Sequence, residues 1–207
     1  MLQIVPQPFL NETTKQIVTT QWDVMRLRPF PADMVIRWPN MIRILPDFFS
    51  LATSQHCIKL MTGFLGNNLG ISTLSEFVFV RASEQSEIYS PAAEKSELVR
   101  RAPGLNWHTL LIAVTPLRAR LDFAYDREVE LAEGMCLIYK QAGPISLLPA
   151  NFDRKFMEFT FFDASMRDSL DLEKEYFKAF NVSRILLSGD DAGSLCNYSA
   201  VWPGKTE

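Results

Sequence analysis

The sequence predicts a single domain with a mainly β core, an antiparallel sandwich or barrel, flanked in the chain by helices. Five β-rich segments separated by turns lie within about ninety residues, between Leu74 and Asp163. One of them, Leu117–Tyr125, alternates between apolar and polar residues, as a half-buried strand does. Helical patterns precede the strands at residues 46–66 and follow them at Ser169–Phe180.

Three parts make up this one domain of residues 1–207. Residues 1–70 are expected to be a helical segment that wraps the core, because prolines repeatedly interrupt any long element there. Within it, Asp47 near the start, an apolar stripe and Gly66 at the end predict a helix that packs on a sheet. Residues 71–163 carry the strands, and residues 164–207 are expected to form a helical extension.

The composition is that of a folded globular protein without the charge of a nucleic-acid binder. Hydrophobic residues make up 47% of the 207 residues, and the net charge is −3 with both signs mixed along the chain. Nucleic-acid-binding surfaces are usually strongly basic, so no nucleic-acid partner is expected. No segment approaches the roughly 20 apolar residues of a membrane helix, so we expect no membrane partner and a cytoplasmic location. The three cysteines lack metal-type spacing and are expected to be free and mostly buried.

The order of the motifs in residues 76–163 resembles the iron- and 2-oxoglutarate-dependent dioxygenases of the prolyl-hydroxylase type. The strand "EFVFVRASEQSEIYSPAAE" leads into a Tyr-x-Pro segment, where that family carries His-x-Asp. "WHTLLIAVT" is similar to the family's apolar strand, "VELAEGMCLIY" to its glycine-containing strand, and "DRKFMEFTF" to its last strand, which opens with a basic residue. The resemblance implies a double-stranded β-helix core of the cupin-like, jelly-roll kind, with a small organic ligand in the barrel.

The metal ligands of that family are not present at the matching positions. Ala92 stands where the resemblance places the first histidine, Glu94 stands where it places the aspartate, and Gln141–Ser146 contains no distal histidine. Two imidazoles and one carboxylate hold the iron in such enzymes. We therefore expect no metal and no cofactor, and interpret "SPAAE" as the remnant of a metal-binding turn.

Two residues are candidates for catalysis. Glu94 is either a base whose pKa an apolar pocket would raise, or a solvated loop glutamate in the charged run "AAEKSE". His108 opens an apolar strand, and is either an acid or base or a hydrogen-bonded structural residue.

Five residues are candidates for ligand binding. Arg154 matches the basic residue that the resemblance assigns to the 2-oxoglutarate carboxylate, because a guanidinium binds a carboxylate through two hydrogen bonds; the alternative is a surface pair with Asp153. Arg118 and Arg120 share one face of a strand, which either meets water or lines a polar cavity. Tyr89 and Tyr139 offer phenolic donors, although strand tyrosines also serve packing alone.

Three functions follow from these observations. The favoured one is a small-molecule-binding barrel without a working iron site, a metal-independent cyclase or isomerase in a biosynthetic pathway. The second is an active iron and 2-oxoglutarate oxygenase with non-standard ligands. The third is a non-catalytic interaction module that presents an arginine series, which includes Arg37, to a protein partner. A homodimer is compatible with all three.

Overall fold

The computed structural model describes residues 2–5, 9–12, 14–16, 18–20, 35–39, 41–44, 46–72, 75–90, 106–121, 126–140, 143–163 and 185–187. The predicted helix Ser169–Phe180 and the candidate Glu94 lie outside these residues. None of the described helices is long and apolar enough to cross a membrane.

The helices and strands occupy the following ranges. Helices α1, α2 and α3 span Met41–Ile44, Pro46–Ala52 and Gln55–Leu65. The strands are β1 (Leu2–Val5), β2 (Val35–Pro39), β3 (Leu69–Ser72), β4 (Glu76–Val80), β5 (Glu87–Tyr89), β6 (Trp107–Ala113), β7 (Leu117–Leu121), β8 (Arg127–Leu131), β9 (Cys136–Tyr139), β10 (Ile145–Leu147), β11 (Arg154–Asp163) and β12 (Ile185–Leu187).

Strands β4 to β11 form two facing sheets. In the larger sheet β4 pairs with β11, β11 with β6, and β6 with β9, while the smaller sheet has the order β5-β10-β7-β8. All these pairs are antiparallel. Apart from the β7–β8 hairpin within the smaller sheet, successive strands alternate between the two sheets, which is the arrangement of a double-stranded β-helix and confirms the predicted fold class. Strands β1, β2, β3 and β12 extend the larger sheet.

The burial pattern of each sheet depends on whether one or both of its faces are covered. All seven residues of β6 are buried, because helices cover one face of the larger sheet and the smaller sheet covers the other. In β7 buried and exposed residues alternate, because only one face of the smaller sheet meets the core.

Two apolar cores lie on opposite faces of the larger sheet. The outer core joins α2 and α3 to residues such as Phe77 and Phe159, and the inner core fills the barrel with residues such as Val78 and Phe156. The predicted helix at residues 46–66 is two helices, because the Ser54 side chain accepts a hydrogen bond from the Cys57 amide over 3.3 Å and starts α3. Cys57 and Cys136 are free and buried, as expected.

Candidate functional site

A cluster of buried polar side chains lies inside the barrel, between the two sheets. Glu76 lies on the same face of β4 as the inner-core residue Val78, and Glu158 on the same face of β11 as Phe156. The two glutamates are register partners across these strands. They are 1% and 3% exposed, so both carboxyl groups have lost almost all contact with bulk water.

Tyrosines from the other strands connect the two glutamates. The Tyr89 hydroxyl, at the end of β5, lies 2.7 Å from Glu76 Oε2 and also contacts Glu158 Oε2. The Tyr139 hydroxyl, at the end of β9, donates to Glu158 Oε1. Both tyrosines are fully buried. The cluster therefore joins both sheets of the barrel through hydrogen bonds.

Arg37 supplies a cation to this cluster from β2. Its Nε donates to Glu76 Oε2 over 3.3 Å, its Nη2 pairs with Glu76 Oε1, and its guanidinium carbon lies 5.5 Å from the centre of the Tyr89 ring. The Arg37 side chain is 31% exposed. Arg37 is thus the member of the cluster that reaches the protein surface.

The contacts around Tyr89 favour a proton on one of the two carboxyl groups. A phenol has one hydrogen to donate, yet the Tyr89 oxygen is within hydrogen-bond distance of both Glu76 and Glu158. When Tyr89 donates to one carboxylate, a proton on the other carboxyl would complete the second hydrogen bond and relieve the repulsion between two buried charges. Such a pair titrates as a coupled unit.

The pKa shifts agree with this protonation. Burial raises the pKa of Glu76; the hydrogen bond from Arg37 lowers it again in part, and the charge of Glu158 raises it further. Burial, and then the charge of Glu158, raise the pKa values of Tyr89 and Tyr139 well above the usual value for a phenol. Both phenols stay protonated at neutral pH and act as donors.

The structure brings three of the predicted ligand-binding residues into the barrel interior. Tyr89 and Tyr139 belong to the cluster itself. Arg154, 1% exposed, shares the inward face of β11 but lies four residues before Glu158, about 13 Å along the strand. Phe156 lies between them and packs edge-on against Tyr89, with 5.1 Å between ring centres.

Backbone carbonyl groups receive the hydrogen bonds of Arg154. Its Nη2 donates to the carbonyl of Arg81 over 3.1 Å, and its Nη1 donates to that of Leu148. Its Nε is buried without a hydrogen-bond partner. Arg154 therefore ties the start of β11 to the ends of β4 and β10, while its Nε donor stays unpaired.

Arg118 and Arg120 lie on the outer face of the smaller sheet. Both are exposed, while Leu117 and Ala119 of the same strand are buried in the barrel. Arg120 pairs with Glu128, its register partner on β8. Of the two alternatives open for these arginines, the structure shows the outward one.

His108 lies on the opposite face of β6 from the barrel interior. It is buried beneath α3, and its ring centre is 5.5 Å from that of Phe64. Burial, followed by the charge of Lys140, lowers the pKa of His108 to about 4. The sheet separates His108 from the glutamate cluster.

Reasoning from the sequence missed Glu76, Glu158 and the role of Arg37. A signal was present, because "SEFVFV" and "FMEFTF" each place one glutamate in an otherwise apolar strand. A charge at such a position is rarely buried without partners. Arg37, which the sequence grouped with a surface series, has its partner in Glu76.

A ligand set for a metal is not found in the described part of the chain. No three His, Cys, Asp or Glu side chains come together there in a way that could hold a metal ion. The resemblance places the distal histidine in Gln141–Ser146. Within this segment, Ile145 is buried and is the register partner of Tyr89 across β10 and β5.

Comparison with solved structures places this arrangement among known folds. HygX from Streptomyces hygroscopicus, determined with nickel and 2-oxoglutarate, has a TM-score of 0.59 and 9% identity, over 78% of this chain and 82% of that one. The chain has the fold of the non-heme 2-oxoglutarate-dependent enzymes. SnoN, an epimerase from nogalamycin biosynthesis, has a TM-score of 0.60 and 12% identity, over 79% of this chain and 78% of SnoN.

Further comparisons give the same fold. The carbocyclase SnoK, from the same pathway, has a TM-score of 0.59 and 12% identity, over 79% of this chain and 80% of SnoK. No protein-family model matches the chain. No curated protein matches it in sequence.

Proposed function

We propose that this protein binds a small organic molecule at the mouth of its barrel and moves a proton on that molecule without iron, as a metal-independent isomerase or cyclase. The observation that carries this proposal is the contact of one phenol, that of Tyr89, with the carboxyl groups of both Glu76 and Glu158. Acid–base catalysis needs one group that donates a proton and one that accepts it. The two carboxyl groups are the candidates for these roles, and burial raises the pKa of Glu76.

The reaction class follows from the chemistry of the cluster. The ionised glutamate accepts a proton from a C–H bond next to a carbonyl group, and the protonated glutamate returns a proton to another atom of the same molecule. Tyr89 passes the proton between the two carboxyl groups, so the cluster regains its starting state. Since no electrons leave the substrate, an isomerisation or ring closure of this kind needs no oxidant.

Arg37 gives the substrate a point of attachment. It is part of the cluster and partly exposed, and a guanidinium binds a carboxylate or carbonyl oxygen of a ligand readily. A ligand held there would place its polarised carbonyl next to Glu76. An epimerase and a carbocyclase have the same fold, which supports isomerisation or ring closure as the reaction; both of those enzymes are non-heme and α-ketoglutarate-dependent, so they do not support its independence from iron.

The proposal that iron takes no part rests on the residues at the ligand positions. Ala92 cannot coordinate a metal, Gln141–Ser146 contains no histidine, and Glu94 alone would be too weak a ligand set. The residue that follows Arg154 on the inward face of β11 is Phe156, a buried member of the inner core whose ring offers no atom to a metal.

Arg154 favours a second candidate, an iron and 2-oxoglutarate oxygenase with non-standard ligands. It faces inward at the start of β11, where the resemblance implies a contact with the 2-oxoglutarate carboxylate, and its Nε has no partner. In that case Glu94 would be a ligand. Joint binding of iron and 2-oxoglutarate distinguishes this candidate from the first.

Deuterium wash-in tests the favoured function directly. The protein is incubated in D2O with a panel of cyclic ketones and β-keto acids, and incorporation at carbon is followed by NMR. We expect at least one compound to exchange faster than in buffer, and Glu158→Gln to remove the acceleration while Arg120→Gln retains it. Equal exchange by the wild type and by Glu158→Gln would contradict the proposal.

A further inference from the structure

A concave site lies on the outer face of the larger sheet, away from the glutamate cluster. It is a groove of about 910 Å³ between helix α3 and strands β1 and β6. This volume is within the range of sites for small ligands. The described residues that line it are Gln3, Val5, His56, Lys59, Leu60, Gly63, Phe64, His108 and Lys140.

The lining combines positive charge with apolar surface. Lys59 from α3 and Lys140 after β9 line the groove, and no described lining residue is acidic. Val5, Leu60 and Phe64 provide apolar surface. An anion with an apolar body is complementary to both features.

His108 adds an unsatisfied polar group to this site. The residue is 7% exposed, it lines the groove, and its Nδ1 is buried without a hydrogen-bond partner. Buried polar atoms in folded proteins usually have partners, and this nitrogen, which has almost no surface open to the groove, would gain one if the ring turned toward a bound molecule. The lowered pKa keeps the ring neutral near pH 7.

Gly63 keeps the groove open. It lies in the last turn of α3, where a β-carbon would meet no atom within 4 Å. Glycine at a helical position costs about 1 kcal/mol relative to alanine, and the backbone angle here does not require glycine. The absence of a side chain leaves the space in front of Leu60 and Phe64 accessible to a ligand.

We propose that this groove binds a small amphipathic anion, with its acidic head group between Lys59 and Lys140 and its apolar body against Leu60 and Phe64. The His108 ring would make a hydrogen bond to a polar atom of the bound molecule. This site is independent of the proposed chemistry in the barrel, because the larger sheet lies between them.

The probe 8-anilinonaphthalene-1-sulfonate tests the proposal, since it is an aromatic monoanion that fluoresces when bound to an apolar site. We expect saturable binding to the native protein. Lys59→Glu combined with Lys140→Glu should raise the dissociation constant at least tenfold, because it places repulsive charges beside the sulfonate. Gly63→Leu should do the same by filling the groove.

Two controls keep the result specific. The uncharged analogue N-phenyl-1-naphthylamine should be insensitive to the double lysine variant, and Glu158→Gln in the barrel should leave sulfonate binding unchanged. Circular dichroism confirms that each variant is folded. Absence of saturable binding, or binding that neither groove variant weakens, would overturn the proposal. Failure of this test has no bearing on proton transfer in the barrel.

Discussion

Glu76 and Glu158 are register partners on β4 and β11, and their carboxyl groups contact the same phenol, that of Tyr89. Two like charges in a buried site repel strongly, which favours a proton on the pair at pH values where two solvated glutamates would release it. Among the described residues, the polar groups on the inward faces of β6 and β11 also include the hydroxyls of Thr109 and Thr160.

The shared proton predicts a pH dependence of stability. Folding raises the pKa of Glu76, so the folded protein keeps a proton at pH values above 4.5, the ordinary pKa of a glutamate, where the unfolded chain has released it. The free energy of unfolding must then decrease as pH rises through the raised pKa. Urea unfolding between about pH 5 and pH 9 measures this slope.

The variant Glu158→Gln should reduce that slope, because it removes the charge that raises the pKa of Glu76 further and leaves burial opposed by the hydrogen bond from Arg37. Glu128→Gln is the matched control, since it removes the same charge from an exposed position on β8. Equal slopes in the two variants would contradict the shared proton.

Arg37 and Glu76 are expected to be energetically coupled. Arg37→Met leaves a buried carboxylate without its cation, and we expect it to lower the free energy of unfolding by about 2–3 kcal/mol at pH 7. Adding Glu76→Gln should recover part of that loss, because the unpaired charge is gone. A double-mutant cycle measures the coupling, and strictly additive effects would refute it.

His108 predicts a loss of stability in acid. Its folded pKa is about 4 against 6.5 unfolded, so the unfolded chain gains a proton first as pH falls. Stability is therefore complete above pH 6.5, decreases between 6.5 and about 4, and the total loss is at most about 3 kcal/mol. His108→Gln should flatten this part of the curve, whereas exposed His56→Gln should not. Identical acid profiles for both variants would show that His108 is not responsible.

Gly63→Ala should stabilise the protein. The added methyl group meets no atom within 4 Å, and alanine has the higher helix propensity, so we expect a gain of roughly 0.5–1 kcal/mol. Thermal unfolding measures the gain. Gly66→Ala is the contrasting change, because Gly66 has a φ of +82° that favours glycine, and it should destabilise. A loss of stability in Gly63→Ala would mean that the groove is not open at this position.

The sequence predicts the strands of the barrel better than it predicts which side chains face the interior. Strand signals are local, so "RKFMEFTFFD" and "NWHTLLIAVT" correspond closely to β11 and β6. Which face of a strand is inward depends on register between strands distant in sequence. That is why His108 and the two glutamates could not be assigned to a side, and why the contact between Arg37 and Glu76, 39 residues apart, was not visible.

Anaerobic thermal unfolding in the presence of iron and 2-oxoglutarate tests the central claim most directly. The metal-stripped protein is compared alone, with ferrous iron, and with iron plus 2-oxoglutarate, and elemental analysis of the purified protein accompanies it. The proposed metal-independent chemistry predicts the same unfolding temperature in all three samples. Joint stabilisation, roughly 2.7 kcal/mol at 100 times the dissociation constant, would contradict it and identify the protein as an oxygenase.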